Sequence, residues 1–426
     1  MKVVHIVSKD TLGGAEDFTI LLANYFKAPV IVAKKYSVDD NIHLLYEGKY
    51  DKAKNKLFTF FDKVLGKLGY HQSFKKAFFL HDTCNNTFNR LNKMDVFRNA
   101  DIIHLHNIHG GFFDIKAIKQ IAKTKKIVWT LHDMWLVTGG EAYTIGNENY
   151  KVGNPNTPYT DLYPLYKPYL IDLRGYYMRL KKRVYRSVAS QLFIVPVCNW
   201  LEDVVKSAHI YNADLNITTI KNGIDLSVFN NTKKRNWTKP RLLVHKSGNP
   251  FKGAEALPII LNDINIPVDV YVISGPIKID NPNVNQIVLD YIKSPEQLAG
   301  VFNEVDVMIH SSKAESYSLM ILQAMACGVC VFATDVGGTP ELLTDGRGVL
   351  FNRDDLNNLA MVLSNKLKNI ETTRAIGEKA SDWVIKNGSF EKMAEAYEQL
   401  YKRALNESKW LYHLTNHIIQ EMSLNI

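Results

Sequence analysis

Residues 310–341 read HSSKAESYSLMILQAMACGVCVFATDVGGTPE, and this stretch decides the fold expected for the chain. It predicts the end of a strand, a polar loop, an apolar helix, a second strand and a glycine turn. The strand is expected over 305–309, and the helix from Glu315 until Gly328 ends it. The apolar positions of the helix run almost without interruption, which is typical of a buried helix. A buried helix between apolar strands indicates a parallel α/β sheet.

The start of that helix is a candidate phosphate site. The first backbone N–H groups of a helix lack partners within it and form the positive end of its dipole. At the carboxyl edge of a parallel sheet they suit a phosphate group. Glu315 and Gln323 lie eight positions apart, so two helical turns would place both on one face, within reach of one extended ligand. Gly337 and Gly338 allow close backbone approach on the next loop. The pattern predicts a nucleotide-diphosphate site.

The composition is that of an ordinary globular protein. The chain has 426 residues, enough for two or three domains, and is 46% hydrophobic and 22% charged. No apolar run reaches bilayer length and the start shows no cleavage-site pattern, so a cytoplasmic location is expected. The four cysteines fit a reducing compartment. Cys327 and Cys330 form a CxxC pair, which we interpret as core packing because no second ligand pair completes a zinc set.

The net charge of +9 favours an anionic partner. Two stretches, 49–76 and 166–186, concentrate lysines and arginines among aromatic residues. Three interpretations stay open: solvated helix faces, a surface for a membrane or an acidic acceptor, and contact with nucleic acid.

Short apolar runs alternate with helical patterns along the chain, which indicates parallel sheets. One series begins at Val3–Val7, and a second begins at Arg241–His245 after a polar stretch, 230–239, that we interpret as a linker. We therefore expect one domain over 1–228 and another over 229–404. The tail, 405–426, has a helical pattern with one apolar face, which must pack on something.

Several separated motifs, in this order, resemble the GT-B glycosyltransferases of family 4 type. They are Gly13–Glu16, Trp129–Trp135, Lys221–Asp225, Lys252-Gly253 and Glu315–Glu341. The segment 101–111 followed by WTLHDMW looks most like bacterial enzymes that build surface polysaccharides. The resemblance implies an α/β fold of two Rossmann-like domains facing a central cleft. The first would be the acceptor domain and the second the donor domain, with a C-terminal helix crossing back to the first.

The family signature in the donor domain is two glutamates eight residues apart. Glu315 matches the first, which contacts hydroxyls of the donor sugar. The second, which grips the ribose, is here Gln323, which keeps hydrogen bonding but loses the charge; otherwise Gln323 is a polar residue on a helix face. Lys252 matches the lysine that neutralises the leaving diphosphate, and Lys246 the position where relatives often carry arginine. The other implied donor-binding residues are Asn222, Ser316, Tyr317, Ser318 and Leu319.

In the first domain, His132 matches a histidine that points at the donor sugar. Gly13 and Gly14 match a loop that approaches the donor phosphate and the acceptor. The residues assigned to the acceptor are Glu16, His109 and Asp133. His104, His106 and His109 could suggest a metal cluster, but no carboxylate ligand pattern accompanies them, so no metal site and no cofactor beyond the donor substrate are expected.

The implied function is retaining, metal-independent transfer of a sugar from a nucleotide-diphosphate sugar to a hydroxyl of a lipid-linked saccharide. Glu315, His132 and Lys252 would be the catalytic residues, and the basic stretches would favour the inner face of the cytoplasmic membrane. Two alternatives stay open. One is a phage-type transferase that glycosylates modified bases in DNA. The other is a nucleotide-sugar-binding module without transferase activity, which Gln323 and Lys246 suggest.

Overall fold

The computed structural model describes residues 1–11, 13–45, 60, 63–64, 86–153 and 173–406 of the chain. They form two units. The first contains Met1–Pro196, Glu202–Ile220 and the chain from Ala394 onward, and the second contains Val197–Leu201 and Lys221–Met393. The basic stretch 49–76 lies almost wholly outside the described residues, as do 407–426 of the expected C-terminal helix.

A parallel sheet forms the centre of the first unit. Its strands are β1 (Val3–Lys9), β2 (Val30–Lys34), β3 (Ile42–Leu44), β4 (Ile102–Leu105), β5 (Lys126–Leu131), β6 (Leu192–Pro196) and β7 (Asn216–Ile217). They lie in the order β3-β2-β1-β4-β5-β6-β7. Strands β4, β5 and β6 are buried throughout, because helices cover both faces of a parallel sheet. The chain order reverses between β1 and β4, and ligands bind at such a switch point in α/β sheets.

A second parallel sheet repeats this plan in the second unit. Its strands are β8 (Arg241–His245), β9 (Val268–Ile273), β10 (Val284–Leu289), β11 (Val307–His310), β12 (Cys330–Thr334) and β13 (Val349–Phe351). They lie in the order β10-β9-β8-β11-β12-β13. Leu242 pairs with Val307 and Val244 with Ile309, so β8 and β11 are neighbours. The switch point of this sheet is therefore the carboxyl edge of β8 and β11.

Helices connect the strands of both sheets. Up to residue 207 they are α1 (Gly14–Phe26), α2 (Thr87–Leu91), α3 (Asp95–Arg98), α4 (Ala117–Ile121), α5 (Asn149–Val152), α6 (Arg174–Ser187) and α7 (Asn199–Ser207). Beyond residue 220 they are α8 (Leu257–Asn262), α9 (Pro295–Phe302), α10 (Leu319–Ala326), α11 (Thr339–Leu343), α12 (Leu356–Lys368), α13 (Ile370–Asn387) and α14 (390–406). The repeated strand–helix alternation confirms the expected α/β class.

Helix α10 begins at Leu319 and not at Glu315. Ser318 has an extended backbone, and its hydroxyl accepts a hydrogen bond from the Ile321 amide at 3.4 Å. A serine in this N-cap position fixes the first helical residue after it. Glu315 therefore lies in the loop before the helix, and the expectation that Glu315 and Gln323 share one helical face is wrong.

The boundary between the units lies earlier than the expected division after residue 228. The turn at 221–225 belongs to the second unit. There Ile224 pairs with Ser389, and Asn222 Nδ2 donates to the Tyr317 carbonyl at 3.1 Å. These contacts tie the turn to the second unit.

The polar stretch 230–239, interpreted as a linker, packs against the second unit. The Arg235 guanidinium donates to the carbonyls of Val305, at 2.8 Å, and Cys327, at 2.7 Å. Trp237 Nε1 donates to the buried Asp306 carboxylate at 2.7 Å. Side chains of this stretch therefore donate hydrogen bonds to carbonyl and carboxylate groups that lie just before β11 and β12.

The chain returns to the first unit at Ala394, before the expected position 405. Two tyrosines of α14 hold it there. The Tyr397 hydroxyl lies 2.8 Å from Thr130 Oγ1, and the Tyr401 hydroxyl lies 2.6 Å from His104 Nδ1. Buried hydrogen bonds of this kind are costly to break, because each partner would be left unsatisfied.

Some basic side chains of helix α6 are buried and paired inside the first unit. Arg174 pairs with Glu141 at 3.3 Å, and the buried Lys181 ammonium donates to the carbonyls of Trp135 and Thr138. Three other basic residues of the helix are exposed: Arg179, Arg183 and Arg186. Among the described residues, no helix combines the length and the apolarity that crossing a bilayer requires.

Candidate functional site

The loops that follow β8 and β11 bring two predicted site residues together. Lys252 ends a 3-10 turn, Pro250–Lys252, capped by Asn249, whose Oδ1 accepts from the Phe251 amide at 3.0 Å. Glu315 lies in the loop between β11 and α10. Lys252 Nζ lies 2.6 Å from Glu315 Oε2. Residues 63 positions apart therefore form an ion pair at the switch point.

Backbone contacts fix the Lys252 loop against the end of β11. The Lys313 amide donates to the Phe251 carbonyl at 2.7 Å, and Ser311 Oγ donates to the Gly253 carbonyl at 3.0 Å. Gly253 has φ +64°, and a Cβ there would lie 2.0 Å from the Ser311 carbonyl oxygen. A side chain at this position would force the two loops apart, so the glycine after Lys252 is a structural requirement.

Glu315 is buried and ionised. Its Oε2 also lies 3.2 Å from His310 Nε2, and Ser312 Oγ lies 2.9 Å from the same nitrogen. Burial acts to raise the pKa of the carboxyl group, but the Lys252 ammonium and His310 outweigh it and lower the pKa to about 2. The sequence motifs do not single out His310 or Ser312 as site residues. Their position at the carboxyl end of β11 is the sequence signal that would have indicated them.

The low pKa of Glu315 predicts a pH-dependent contribution to stability. The folded-state pKa, about 2, lies below the ordinary value of 4.5, so the stabilisation is present above pH 4.5 and is lost as the pH falls towards 2. Between pH 6 and pH 3 we expect the wild type to lose about 2 kcal/mol more unfolding free energy than Glu315→Gln. Urea unfolding of both proteins across this range measures the difference. Parallel pH curves for the two proteins would contradict the ion pair.

Hydrogen bonds to its backbone carbonyls hold the predicted donor-binding stretch 316–319 in place. The Ser316 carbonyl accepts from the Cys198 thiol at 3.2 Å, and the Tyr317 carbonyl accepts from Asn222 Nδ2 at 3.1 Å. The Ser318 hydroxyl caps α10, and Leu319 is the first residue of that helix. Residues 316–319 thus continue the segment that carries Glu315 up to a helix amino terminus, and Asn222 contacts this segment from the turn at 221–225.

Two predicted donor-binding residues lie apart from this group. Lys246 is exposed, and its Nζ donates to the Pro276 carbonyl at 2.6 Å. Gln323 lies within α10 and is half-buried. In the part of the chain that the structure describes, no hydrogen bond joins Lys246 or Gln323 to the Lys252–Glu315 pair.

The first unit carries its predicted residues at the ends of β1, β4 and β5. Gly13 and Gly14 lead into α1, and the buried Glu16 carboxylate folds back over Gly13, where a Cβ would lie 2.1 Å from Glu16 Oε2. Ser8 Oγ donates to the other carboxylate oxygen at 2.8 Å. The glycine therefore leaves room for the acidic side chain at the helix start.

A histidine–aspartate pair follows β4 and β5. His109 Nε2 lies 2.8 Å from Asp133 Oδ2, and the Trp135 amide donates to Asp133 Oδ1 at 2.8 Å. Burial acts to raise the pKa of Asp133, but His109 and the amide lower it overall. Burial lowers the pKa of His132 to about 4, so its ring is neutral at pH 7. These residues and His106 line a small open pocket.

His106 also belongs to a cluster of three buried histidines. Ring nitrogens of His5, His104 and His106 lie within 4.8 Å of one another, close enough for a metal ion. However, His104 Nδ1 lies 2.6 Å from the Tyr401 hydroxyl and His104 Nε2 lies 2.7 Å from Thr130 Oγ1. Both nitrogens of His104 are therefore committed to hydroxyl groups, and the cluster is a hydrogen-bonded network of neutral rings. No local sequence signal distinguishes His5 from its apolar strand.

Part of the second unit is similar to known proteins. Residues 254–369 match the profile of the family described as glycosyl transferases group 1. The putative colanic acid biosynthesis glycosyl transferase WcaC of Escherichia coli K12 is 24% identical over 275 residues, which cover 60% of this chain and 65% of that protein. The N-acetyl-alpha-D-glucosaminyl L-malate synthase of Bacillus anthracis is 33% identical over 120 residues, 28% of this chain and 32% of that protein. The chain thus spans less than two thirds of either relative.

A solved structure extends the likeness to nearly the whole chain. The crystal structure of Anabaena HepE in complex with UDP-glucose superposes with a TM-score of 0.61 at 14% identity, covering 95% of this chain and all (100%) of that one. This likeness confirms the expected GT-B fold with its two Rossmann-like sheets. Residues 254–369 match the glycosyl transferases group 1 family, and the chain as a whole has the GT-B fold.

Proposed function

We propose that this protein is a retaining, metal-independent glycosyltransferase that takes a sugar from a nucleotide-diphosphate sugar. The observation that carries the proposal is the 2.6 Å contact between Lys252 and Glu315 at the switch point of the second sheet. One cation, one buried carboxylate and a helix amino terminus lie within a single loop system. This set suits a sugar joined to a diphosphate: the cation and the helix end for the phosphates, the carboxylate for hydroxyls.

The proposed reaction needs charge stabilisation rather than a covalent nucleophile. The acceptor hydroxyl oxygen forms a bond to the anomeric carbon while the bond from that carbon to the diphosphate oxygen breaks. The hydroxyl proton passes to the leaving diphosphate, and attack from the same face retains the anomeric configuration. Lys252 and the amides at the start of α10 stabilise the negative charge that develops on the leaving group, the role that a metal ion fills in other transferases.

The remaining residues are assigned to orientation. Glu315, ionised at neutral pH, accepts hydrogen bonds from hydroxyls of the donor sugar. His132 is assigned to the same sugar, and Gly13 and Gly14 to the donor phosphate. The acceptor is assigned to three residues of the first unit: Glu16, His109 and Asp133. The His109–Asp133 pair offers both a donor and an acceptor to a saccharide hydroxyl.

We propose a lipid-linked saccharide as the acceptor, in surface polysaccharide synthesis on the cytoplasmic side of the membrane. The name of the colanic acid relative supports the saccharide class. The exposed arginines of α6, at positions 179, 183 and 186, support attraction to anionic lipid headgroups.

A panel of nucleotide sugars, tested with lipid-linked saccharides, free saccharides and duplex DNA carrying modified bases, tests this function. Mass spectrometry detects transfer, and NMR of the product gives the anomeric configuration. We expect transfer to a lipid-linked saccharide with retention, abolished by Glu315→Ala. Lys239→Met, which removes a lysine at the amino edge of the same sheet, serves as the active control. A product with inverted configuration would overturn the proposed mechanism. Transfer to DNA would overturn the proposed acceptor class. Donor binding without any transfer would overturn the assignment as an enzyme.

A further inference from the structure

Three imidazole rings form a line from the first strand to the surface pocket of the first unit. His5 Nδ1 lies 3.0 Å from His106 Nε2. His106 Nδ1 in turn lies 3.4 Å from His132 Nε2. The rings of each pair are stacked, with centroids 5.2 Å and 5.7 Å apart. Each hydrogen bond uses one nitrogen of each ring. The nitrogen that carries the proton in one ring therefore determines which nitrogen carries it in the next.

All three rings are neutral at physiological pH. Burial lowers the pKa of His5 to about 3 and that of His132 to about 4. Burial, followed by the neighbouring histidines, lowers the pKa of His106 well below its ordinary value. A neutral imidazole has one N–H donor and one acceptor nitrogen. The line can therefore run in only two directions, with every ring holding its proton on Nδ1 or every ring holding it on Nε2.

The buried end of the line selects one direction. His5 Nε2 is fully buried and has no hydrogen-bond partner in the described chain. If the rings carried their protons on Nε2, His5 would bury an N–H group without an acceptor, which proteins rarely tolerate. With the protons on Nδ1, the unpartnered atom is a lone pair, and the free N–H lies on the half-buried His132.

We propose that His5 and His106 are positioning residues that hold His132 in one neutral tautomer, with its proton on Nδ1. The hydrogen bonds run from His5 to His106 and from His106 to His132. Phe18 of α1 fixes the ring planes, since its own ring packs edge-on against His132 at 5.0 Å and against His106 at 5.8 Å.

This arrangement makes His132 a hydrogen-bond donor with a fixed N–H group. Its Nε2 is committed to His106, and its Nδ1–H is presented as a hydrogen-bond donor. An oxygen of the donor sugar is the proposed recipient, a step that rests on the proposed function. The tautomer itself does not rest on it, because the hydrogen-bond line exists in the protein alone.

Histidine tautomers are measured directly by two-bond 1H–15N NMR of the full-length protein labelled at histidine. Single substitutions assign the signals. In the wild type we expect His5, His106 and His132 to show the neutral Nδ1–H pattern at pH 7. A His132 signal of the Nε2–H form, or an average of both forms, would overturn the proposal without any variant or activity assay.

Three variants separate positioning from packing. In His106→Phe, which keeps a ring but removes both nitrogens, we expect the His132 signal to shift towards a mixture of tautomers. In His106→Asn, an amide N–H stands near the former Nδ1, so the His132 pattern should be restored. His104→Phe is the matched control, because His104 lies two residues away on β4, equally buried, yet bonds only to hydroxyls. A His132 tautomer that changes equally in all three variants would indicate general packing and reject the proposal.

Turnover provides an independent readout. If the wild type transfers sugar, kcat of His106→Phe should fall about tenfold, equivalent to ~1.4 kcal/mol, with little change in KM for the donor. An unchanged kcat with a mixed tautomer would reject the assigned task of His132. If the wild type shows no transfer, the proposed function fails, while the NMR result still decides the tautomer.

Discussion

Replacing Lys252 with methionine is expected to lower kcat for sugar transfer by about 100- to 1,000-fold. Methionine keeps the length and flexibility of the side chain and removes only the charge and its donors. In the absence of substrate, Lys252 Nζ pairs with Glu315 Oε2 at 2.6 Å. When the diphosphate leaves, the same ammonium is the proposed partner of the developing charge. An interaction that strengthens in the transition state affects kcat more than KM.

Lys239→Met provides the comparison for this prediction. Lys239 is also paired, with Asp269 at 2.6 Å, but it precedes β8 and therefore lies at the opposite edge of the sheet. Its replacement should leave kcat within about twofold, as is usual for exposed ion pairs. Steady-state kinetics with the preferred donor measure both effects. A Lys252→Met enzyme with wild-type kcat would show that the diphosphate is stabilised elsewhere.

Gly337→Ala is expected to destabilise the second unit by about 3 kcal/mol and to disturb the donor site. Gly337 has φ +56°, a conformation that costs a side-chain-bearing residue energy. A Cβ would also lie 1.8 Å from the Glu315 carbonyl oxygen, which must then move. That movement breaks the hydrogen bond that the Gly338 amide donates to the same carbonyl at 3.2 Å.

Gly300→Ala is the matched substitution for this experiment. Gly300 lies in α9, and a Cβ added there meets nothing within 4 Å. Alanine is the better helix former, so this variant should gain about 0.5 to 1 kcal/mol. Calorimetry measures both changes, and titration with the donor measures the site. Equal stability of Gly337→Ala and the wild type would contradict the close approach of the two loops.

The sequence led correctly to the α/β class because short apolar runs alternate with helical patterns, and parallel strands are buried on both faces. It also placed Glu315 after a strand, where such sheets bind ligands, while Lys252 and His132 were singled out by the family resemblance. The predicted start of α10 at Glu315 was wrong because the continuous apolar run begins only at Leu319. Ser318, directly before the apolar run, is an N-cap signal that would have corrected it.

Other features depended on long-range packing. His5 is one histidine within an apolar strand, and nothing local relates it to His106 or His132. The sheet register brings His5 opposite His104, and the hydrogen-bond line follows from that pairing. Likewise, Tyr397 and Tyr401 lie four residues apart on one helical face. Their partners on β5 and β4 are distant in the chain, and 297 positions separate His104 from Tyr401.

The sequence by itself therefore determined which chemical groups stand at the strand ends, because strand periodicity and turn residues are local properties. The tertiary structure alone decided which of these groups meet. It paired Lys252 with Glu315, and left Lys246 and Gln323 apart from them. It also aligned His5 and His106 behind His132. The physical reason is that the order and register of parallel strands are set by the packing of both sheet faces, which no single segment of the chain encodes.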